Sequence, residues 1–230
     1  MRSLLGLILV FVSLALLQNA QAQTKKPVTD VFDERVQTFR LDQQSISDGV
    51  AILTQTTHAA YSIEFELASK ISDPAPPLAK VSAEVGPGTV SQVLGELCRL
   101  DPTFAWKRVG NTANIFPKRL ENDPEYLLNR VVPTLSFSNV TDAEKAVFET
   151  VSQLPGPREQ IAVLQSGGSV SFSQPYSATF KNITVREAFD RIAMQLGIGY
   201  GWQFGGARNF RVITFHNRLG VRGRENRDTK

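Results

Sequence analysis

Tyr176-Ser-Ala-Thr-Phe180, then Thr184-Val-Arg-Glu-Ala-Phe189, then Tyr200-Gly-Trp202 make up the stretch whose reading decides the fold. Thr184 followed three residues on by Glu187 is a capping box. The hydroxyl accepts the N–H of the third helical residue, and the carboxylate reaches back to the N–H of the cap. Val185, Ala188, Phe189, Ile192, Ala193 and Leu196 then keep the i, i+3, i+4, i+7, i+8 spacing of one buried helix face. A strand, a capped helix and an aromatic strand follow one another.

The same unit is written earlier in the chain. Val81-Ser-Ala-Glu-Val85 precedes Thr89-Val-Ser-Gln92, after which Val90, Val93, Leu94, Leu97 and Cys98 hold helical spacing. Phe104-Ala-Trp106 matches Tyr200-Gly-Trp202, and Gly110 matches Gly206, once a single extra residue near the helix end restores the register. Two further boxes are Ser45-Ile-Ser-Asp48, after Phe39 and Leu41, and Thr141-Asp-Ala-Glu144, after Leu135 and Phe137. Val50 and Leu53 line one of their helices; Val147, Val151 and Leu154 line the other. Boxes starting at 45, 89, 141 and 184 group as two pairs, which points to an internal duplication.

The predicted class is therefore α+β: two tandem small modules, each with two helices packed on small mixed sheets in the order strand-helix-strand-strand-helix-strand-strand. Module 1 is placed at 36–119 and module 2 at 134–217, with a linker at 120–133 in which Asp123-Pro-Glu125 starts a short helix. Residues 23–35 are polar and read as a flexible leader. Tyr61, Ile63 and Phe65 alternate with Ser62, Glu64 and Glu66, so that strand is expected to have one buried and one wet face. Asp73-Pro-Ala-Pro-Pro77 and Gln165-Ser-Gly-Gly-Ser169 mark the central loops. Val109-Gly-Asn-Thr112 and Gly205-Gly206 mark hairpin turns.

The ends carry their own signals. Met1-Arg2 precedes an apolar run from Leu4 to Leu17, broken by Gly6 and Ser13. Ala20 and Ala22 then supply the small residues a signal peptidase needs before Gln23, so 1–22 reads as a secretory signal peptide. An uncleaved anchor is the alternative, but the run is shorter than the ~20 residues that span a bilayer. The residue directly after the cleavage site is Gln23, not a cysteine that could carry a lipid, and no later segment is apolar enough to cross a membrane. Loss of Arg2 lowers the formal net charge from +3 to +2. Residues 218–230, with Arg218, Arg222, Arg224, Arg227 and Lys230, read as a basic disordered tail. The sharper reading is an electrostatic contact with anionic polymer, lipid headgroups or an acidic partner. Cys98 is the one cysteine, which excludes an internal disulfide; it takes the place of Ala193 on an apolar helix face, as a small buried residue.

Lys181-Asn-Ile-Thr-Val-Arg-Glu-Ala-Phe189, followed by Leu196-Gly-Ile-Gly-Tyr200, resembles the secretin and TonB N-terminus short domain (STN) family. Val85-Gly-Pro-Gly-Thr-Val-Ser-Gln-Val-Leu94 is a looser copy of the same motif. The order of elements is similar to the periplasmic N-terminal domain of secretins and the signalling domain of TonB-dependent receptors, and the two modules cover most of the mature chain. Module 2 is also open to a KH-like reading; the shared tryptophan and cap positions favour a second STN-like copy. The resemblance implies a periplasmic location and a protein partner, namely a secretin, a TonB-dependent receptor, an inner-membrane signalling protein or a second copy. It brings no catalytic residues and no cofactor. Secretins continue into a large β domain and the receptors into a barrel, so two modules alone are not expected to form an outer-membrane pore.

His58 and His216 lack ligands at metal-site spacing. Glu64 and Glu66 read as solvated charges, with a catalytic acid pair as the sharper alternative. Gly197-Ile-Gly-Tyr-Gly201 follows a helix and enters a strand, the wrong order for a phosphate loop. No serine sits in a G-x-S-x-G elbow. Trp106 and Trp202 read as core. The sequons Asn139-Val-Thr141 and Asn182-Ile-Thr184 read as turn-plus-cap. The expectation is an exported, non-enzymatic docking or adaptor protein without metal, cofactor or nucleic acid. The alternatives are a binder of a small ligand or anionic envelope polymer, using the cleft between modules and the Arg-rich tail, and a hydrolase built around Glu64 or His216.

Overall fold

The computed structural model describes residues 30–66, 77–155, 160–165, 170–197, 199–207 and 210–217. Ala20, Ala22, Gln23, the tail arginines and most of both central loops lie outside these residues. The described residues from Val31 onward form one compact unit.

The first half contains β1 (Arg35–Val36), β2 (Phe39–Gln44), α1 (Ile46–Thr56), β3 (Ala60–Glu64), β4 (Val81–Val85), β5 (Gly88–Thr89), α2 (Val90–Leu100), β6 (Phe104–Val109) and β7 (Thr112–Pro117). The second half contains β8 (Val131–Asp142), α3 (Ala143–Ser152), β9 (Ile161–Gln165), β10 (Ser171–Thr184), α4 (Val185–Leu196), β11 (Tyr200–Ala207) and β12 (Phe210–Asn217). β2 pairs with β4, and β8 with β10, as antiparallel ribbons. β6–β7 and β11–β12 are hairpins; β3 runs parallel to β7, and β9 parallel to β12. Each half thus builds the same three-stranded piece. β3 and β11 pair in parallel, so the pieces become one sheet in the order β6-β7-β3-β11-β12-β9. Each half keeps its own apolar cluster, one around Leu53, Leu94 and Ile115, the other around Val147, Phe189 and Phe215.

Three capping boxes form as read, with the cap oxygens of Ser45, Thr89 and Thr184 accepting at 3.3, 3.3 and 3.2 Å. The fourth does not. Asp142, not Thr141, caps α3 and accepts from the Lys145 N–H at 2.8 Å. A one-residue shift puts a lysine at the third helical position, so the reciprocal bond of a box is lost. Gln43, Asn139 and Asn182 each sit two residues before a Ser or Thr and adopt left-handed backbone, with φ of 49°, 51° and 51°. Asn tolerates that region better than most residues, which accounts for both sequons as backbone turns before a helix.

Four further expectations change. Ser62 and Glu64 are buried, not wet, because β3 lies inside the six-stranded sheet with both faces covered. The linker forms two 3₁₀ turns, Lys118–Leu120 and Leu127–Asn129, in place of a helix from Asp123. Adjacent Leu127 and Leu128 are both fully buried. Gly205 and Gly206 lie within β11, whose pairing with β12 continues to Ala207 and Phe210. Phe32, from the stretch read as leader, is buried and stacks on Trp106 at 6.0 Å. The Val109–Thr112 hairpin stands as read, with Gly110 at φ +58°.

Candidate functional site

The densest buried polar chemistry lies where the halves join. Glu64 ends β3 with no exposed surface, and the Arg186 guanidinium grips its carboxylate with two hydrogen bonds, at 2.5 and 3.0 Å. Arg186 is the second residue of α4, so the grip reaches from the second half to the first. Its remaining Nη1 donates to Asn129 Oδ1 at 2.6 Å, and its plane lies 5.3 Å over the Phe116 ring. Asn129 in turn donates to the carbonyls of Leu120 and Asp123 at 2.7 and 2.8 Å, which folds the linker onto the same cluster. Burial pushes the Glu64 carboxyl up, and the Arg186 bonds pull against that rise. Burial acts to lower Arg186, but its bonds to Glu64 leave it raised overall. A bidentate guanidinium–carboxylate contact of this length is an ion pair.

One helical turn on, Asp190 is also fully buried. One carboxylate oxygen accepts from Asn114 Nδ2 and the other from Trp202 Nε1, both at 2.9 Å. Asn114 belongs to β7 and Asp190 to α4, so this bond also crosses between halves. Burial raises the Asp190 carboxyl to about 7, against the two hydrogen bonds that favour its charged form. The Tyr126 hydroxyl, buried beside Glu64, lacks the geometry of a full hydrogen bond to it, and its proton is held well above the usual range by burial first and then by that carboxylate.

The backbone seals the join. The Phe65 N–H donates to the Phe204 carbonyl at 2.8 Å, and the Trp202 N–H approaches Ser62 Oγ at 3.4 Å. Gly201 lets the strands close. A β-carbon there would fall 1.8 Å from the Tyr61 carbonyl oxygen, so no side chain fits without parting the strands. In the first half the equivalents of Arg186, Asp190 and Gly201 are Ser91, Gly95 and Ala105, so this chemistry belongs to one module of the pair.

The sequence-predicted residues scatter around this centre. Glu66 leaves the cluster and pairs with Arg119 at 2.5 Å, a half-exposed contact whose main effect is to lower Glu66. His58 is exposed and meets Glu34 at 2.8 Å. His216 lies beside Gly201, and burial lowers its pKa. Trp202 is buried in the network, and Trp106 is half-buried against Phe32. Cys98 is half-buried; burial, then Asp101, pushes its thiol up to about 11. Among the described residues, no three His, Cys, Asp or Glu side chains converge as metal ligands would, and no helix is long and apolar enough to cross a membrane.

Glu64, Arg186, Asp190 and Asn114 were missed as a group. The signal that could have found them is Arg186 and Asp190 spaced i, i+4 beside an apolar stripe, with a Ser and a Glu inside an otherwise apolar strand. General acid–base work needs a carboxyl within hydrogen-bond reach of a substrate. Glu64 instead spends its bonds on Arg186 of the opposite half, and Asp190 on Asn114 of the opposite half and Trp202 of its own. A cavity of about 220 Å³ opens on the linker side, lined by Arg119, Asp123, Glu125, Tyr126 and Arg211 with charges of both signs. No family model matches the chain, and neither a curated protein nor a solved structure matches it.

Proposed function

We propose that the chain is an exported, periplasmic, non-enzymatic docking protein that binds its partner by strand addition at an end of its six-stranded sheet. The observation that carries this reading is the sheet order: β6 and β9 close its two ends, and among the described residues neither has a strand on its outer side. Strand addition takes affinity from backbone hydrogen bonds and specificity from alternate side chains. The chain already uses that chemistry, since β3 and β11 join its own halves edge to edge. Leu164, on β9, is 54% exposed, an apolar side chain available to a partner. The STN resemblance supports a secretin, a TonB-dependent receptor or an inner-membrane signalling protein as that partner, or a second copy.

In-cell crosslinking of the tagged mature protein, followed by mass spectrometry, tests the reading. A cell-envelope protein recovered with wild type and lost with Leu164→Lys, at unchanged urea midpoint, is the expected result. The same crosslinks at full yield from Leu164→Lys and from a matching β6 variant would overturn it. The cavity beside Tyr126 favours a second reading, capture of a small ligand or anionic polymer segment through Arg119 and Arg211. Arg211→Glu should then abolish retention on an anionic polymer column while leaving the envelope crosslinks intact.

A further inference from the structure

The internal join specifies which edges fit each other. Within the first half the strand order is β6-β7-β3, and within the second it is β11-β12-β9. β11 is the counterpart of β6, through Trp202 and Trp106, and β9 is the counterpart of β3. The join pairs β3 with β11. The two ends of the sheet are therefore one edge of the β3 kind, on β9, and one edge of the β11 kind, on β6. The chain presents, on opposite ends, both members of a pairing it already makes.

Backbone alternation supports the match. In β11–β12 and β6–β7 the pairs that flank the turns are Ala207–Phe210 and Val109–Thr112. Counting back from these hydrogen-bonded pairs, the backbone groups of Trp202 and Phe204, and equally of Trp106 and Arg108, point away from their hairpin partners. Trp202 and Phe204 are the residues that meet β3. On β9, Gln160 uses its carbonyl on Arg211, and the Val163 backbone faces the outer edge as its counterpart Tyr61 does in the join.

We propose that a second copy of this chain adds to the sheet head to tail, the β9 edge of one copy pairing in parallel with the β6 edge of the next. This rests on the reading of the sheet ends as docking edges. Carrying over the Gln203–Ile63 register places Trp106 opposite Leu164 and Lys107 opposite Gln165. The contact is heterologous, so copies grow into a ring or a filament according to whether the rotation closes. It is weaker than the internal join for two visible reasons. Ser91 and Gly95 stand where α4 supplies Arg186 and Asp190, so no ionic grip forms. Ala105 stands where Gly201 permits the close approach to Tyr61, so pairing begins at Trp106. Association is accordingly reversible and concentration-dependent.

Sedimentation velocity on the purified mature chain, over roughly a hundredfold range of concentration, reads the result. Wild type should show a weight-average mass that climbs with concentration beyond a dimer. Gln165→Pro, which removes the outward N–H that meets the Trp106 carbonyl and keeps the β12 ladder, should weaken association by about tenfold or more, and the fold-safe Leu164→Lys should do the same. Arg108→Pro should do so from β6. Mixing Leu164→Lys with Arg108→Pro should restore a species that stops at two chains, since one intact edge of each kind remains. Ala105→Gly, which recreates the glycine of the join, should strengthen association. A wild type that stays monomeric throughout, or association that survives both edge variants, overturns the proposal. Envelope crosslinks lost with Leu164→Lys in a chain that is monomeric by sedimentation would sink self-assembly alone and leave the docking reading standing.

Discussion

Replacing Arg186 by Leu tests whether the buried ion pair locks the halves together. The substitution strips Glu64 of both guanidinium bonds, at 2.5 and 3.0 Å, and strands a carboxylate with no exposed surface. Removing one partner of a buried pair costs about 3–5 kcal/mol, because the remaining charge must be desolvated alone or take up a proton. Removing both charges with Glu64→Leu and Arg186→Leu leaves no stranded ion. What remains is the loss of the 2.6 Å bond to Asn129, on the order of 1 kcal/mol. Glu64→Leu alone falls between, since the Arg186 side chain keeps 17% exposure and part of its contact with water. The cycle should show a coupling of about 2 kcal/mol or more. Urea unfolding followed by tryptophan fluorescence suits the test, because Trp202 is fully buried in this network. A cost below about 1 kcal/mol for Arg186→Leu, or a double variant as unstable as the single, would refute the argument.

Asp190, raised in the fold to about 7 from an ordinary 3.8, holds a proton that the unfolded chain releases. Its contribution is complete below about pH 3.8 and is lost as pH rises towards 7, by up to about 4 kcal/mol, and Asp190→Asn should flatten that slope in urea midpoints taken at successive pH values. Gly201→Ala would force apart strands whose backbone lies 1.8 Å from the new β-carbon, and should lower stability by about 3 kcal/mol, read as a fall in Tm; an unchanged Tm would rule out the close approach. Asp142→Ala should cost about 1 kcal/mol as a lost helix cap and Thr141→Ala a few tenths, and the reverse order would restore Thr141 as the cap.

Local signals carried far along this chain. α2 and α4 begin where Thr89 and Thr184 place them, because a capping box and an apolar stripe are both short-range and agree with each other. α3 shows the limit: Thr141 and Asp142 are both good caps, and sequence spacing cannot say which one the backbone before the helix will present. The duplication was legible in Trp106 and Trp202 because both follow equivalent helices. The joining of β3 to β11 was not, since it depends on which edge strand a tertiary contact selects. That contact also reversed the reading of Glu64. An alternating Ser and Glu look wet in a strand read alone, and become buried once both faces of the sheet are covered, Glu64 by Arg186. Asp190 was hidden for the same reason: its partners Asn114 and Trp202 come from different halves. Gly201 read as the middle of the aromatic strand Tyr200-Gly-Trp202, and its role emerges from the Tyr61 carbonyl pressed against it.

The continuous sheet underlies both the fold and the proposed docking, and amide hydrogen exchange across β3 and β11 tests it most directly. The Phe65 N–H, which donates across the join to Phe204, should exchange as slowly as the amides that link β3 to β7. Exchange of Phe65 at the rate of an open loop, while Glu64 and Ile115 remain protected, would mean that the halves part in solution and would contradict the account.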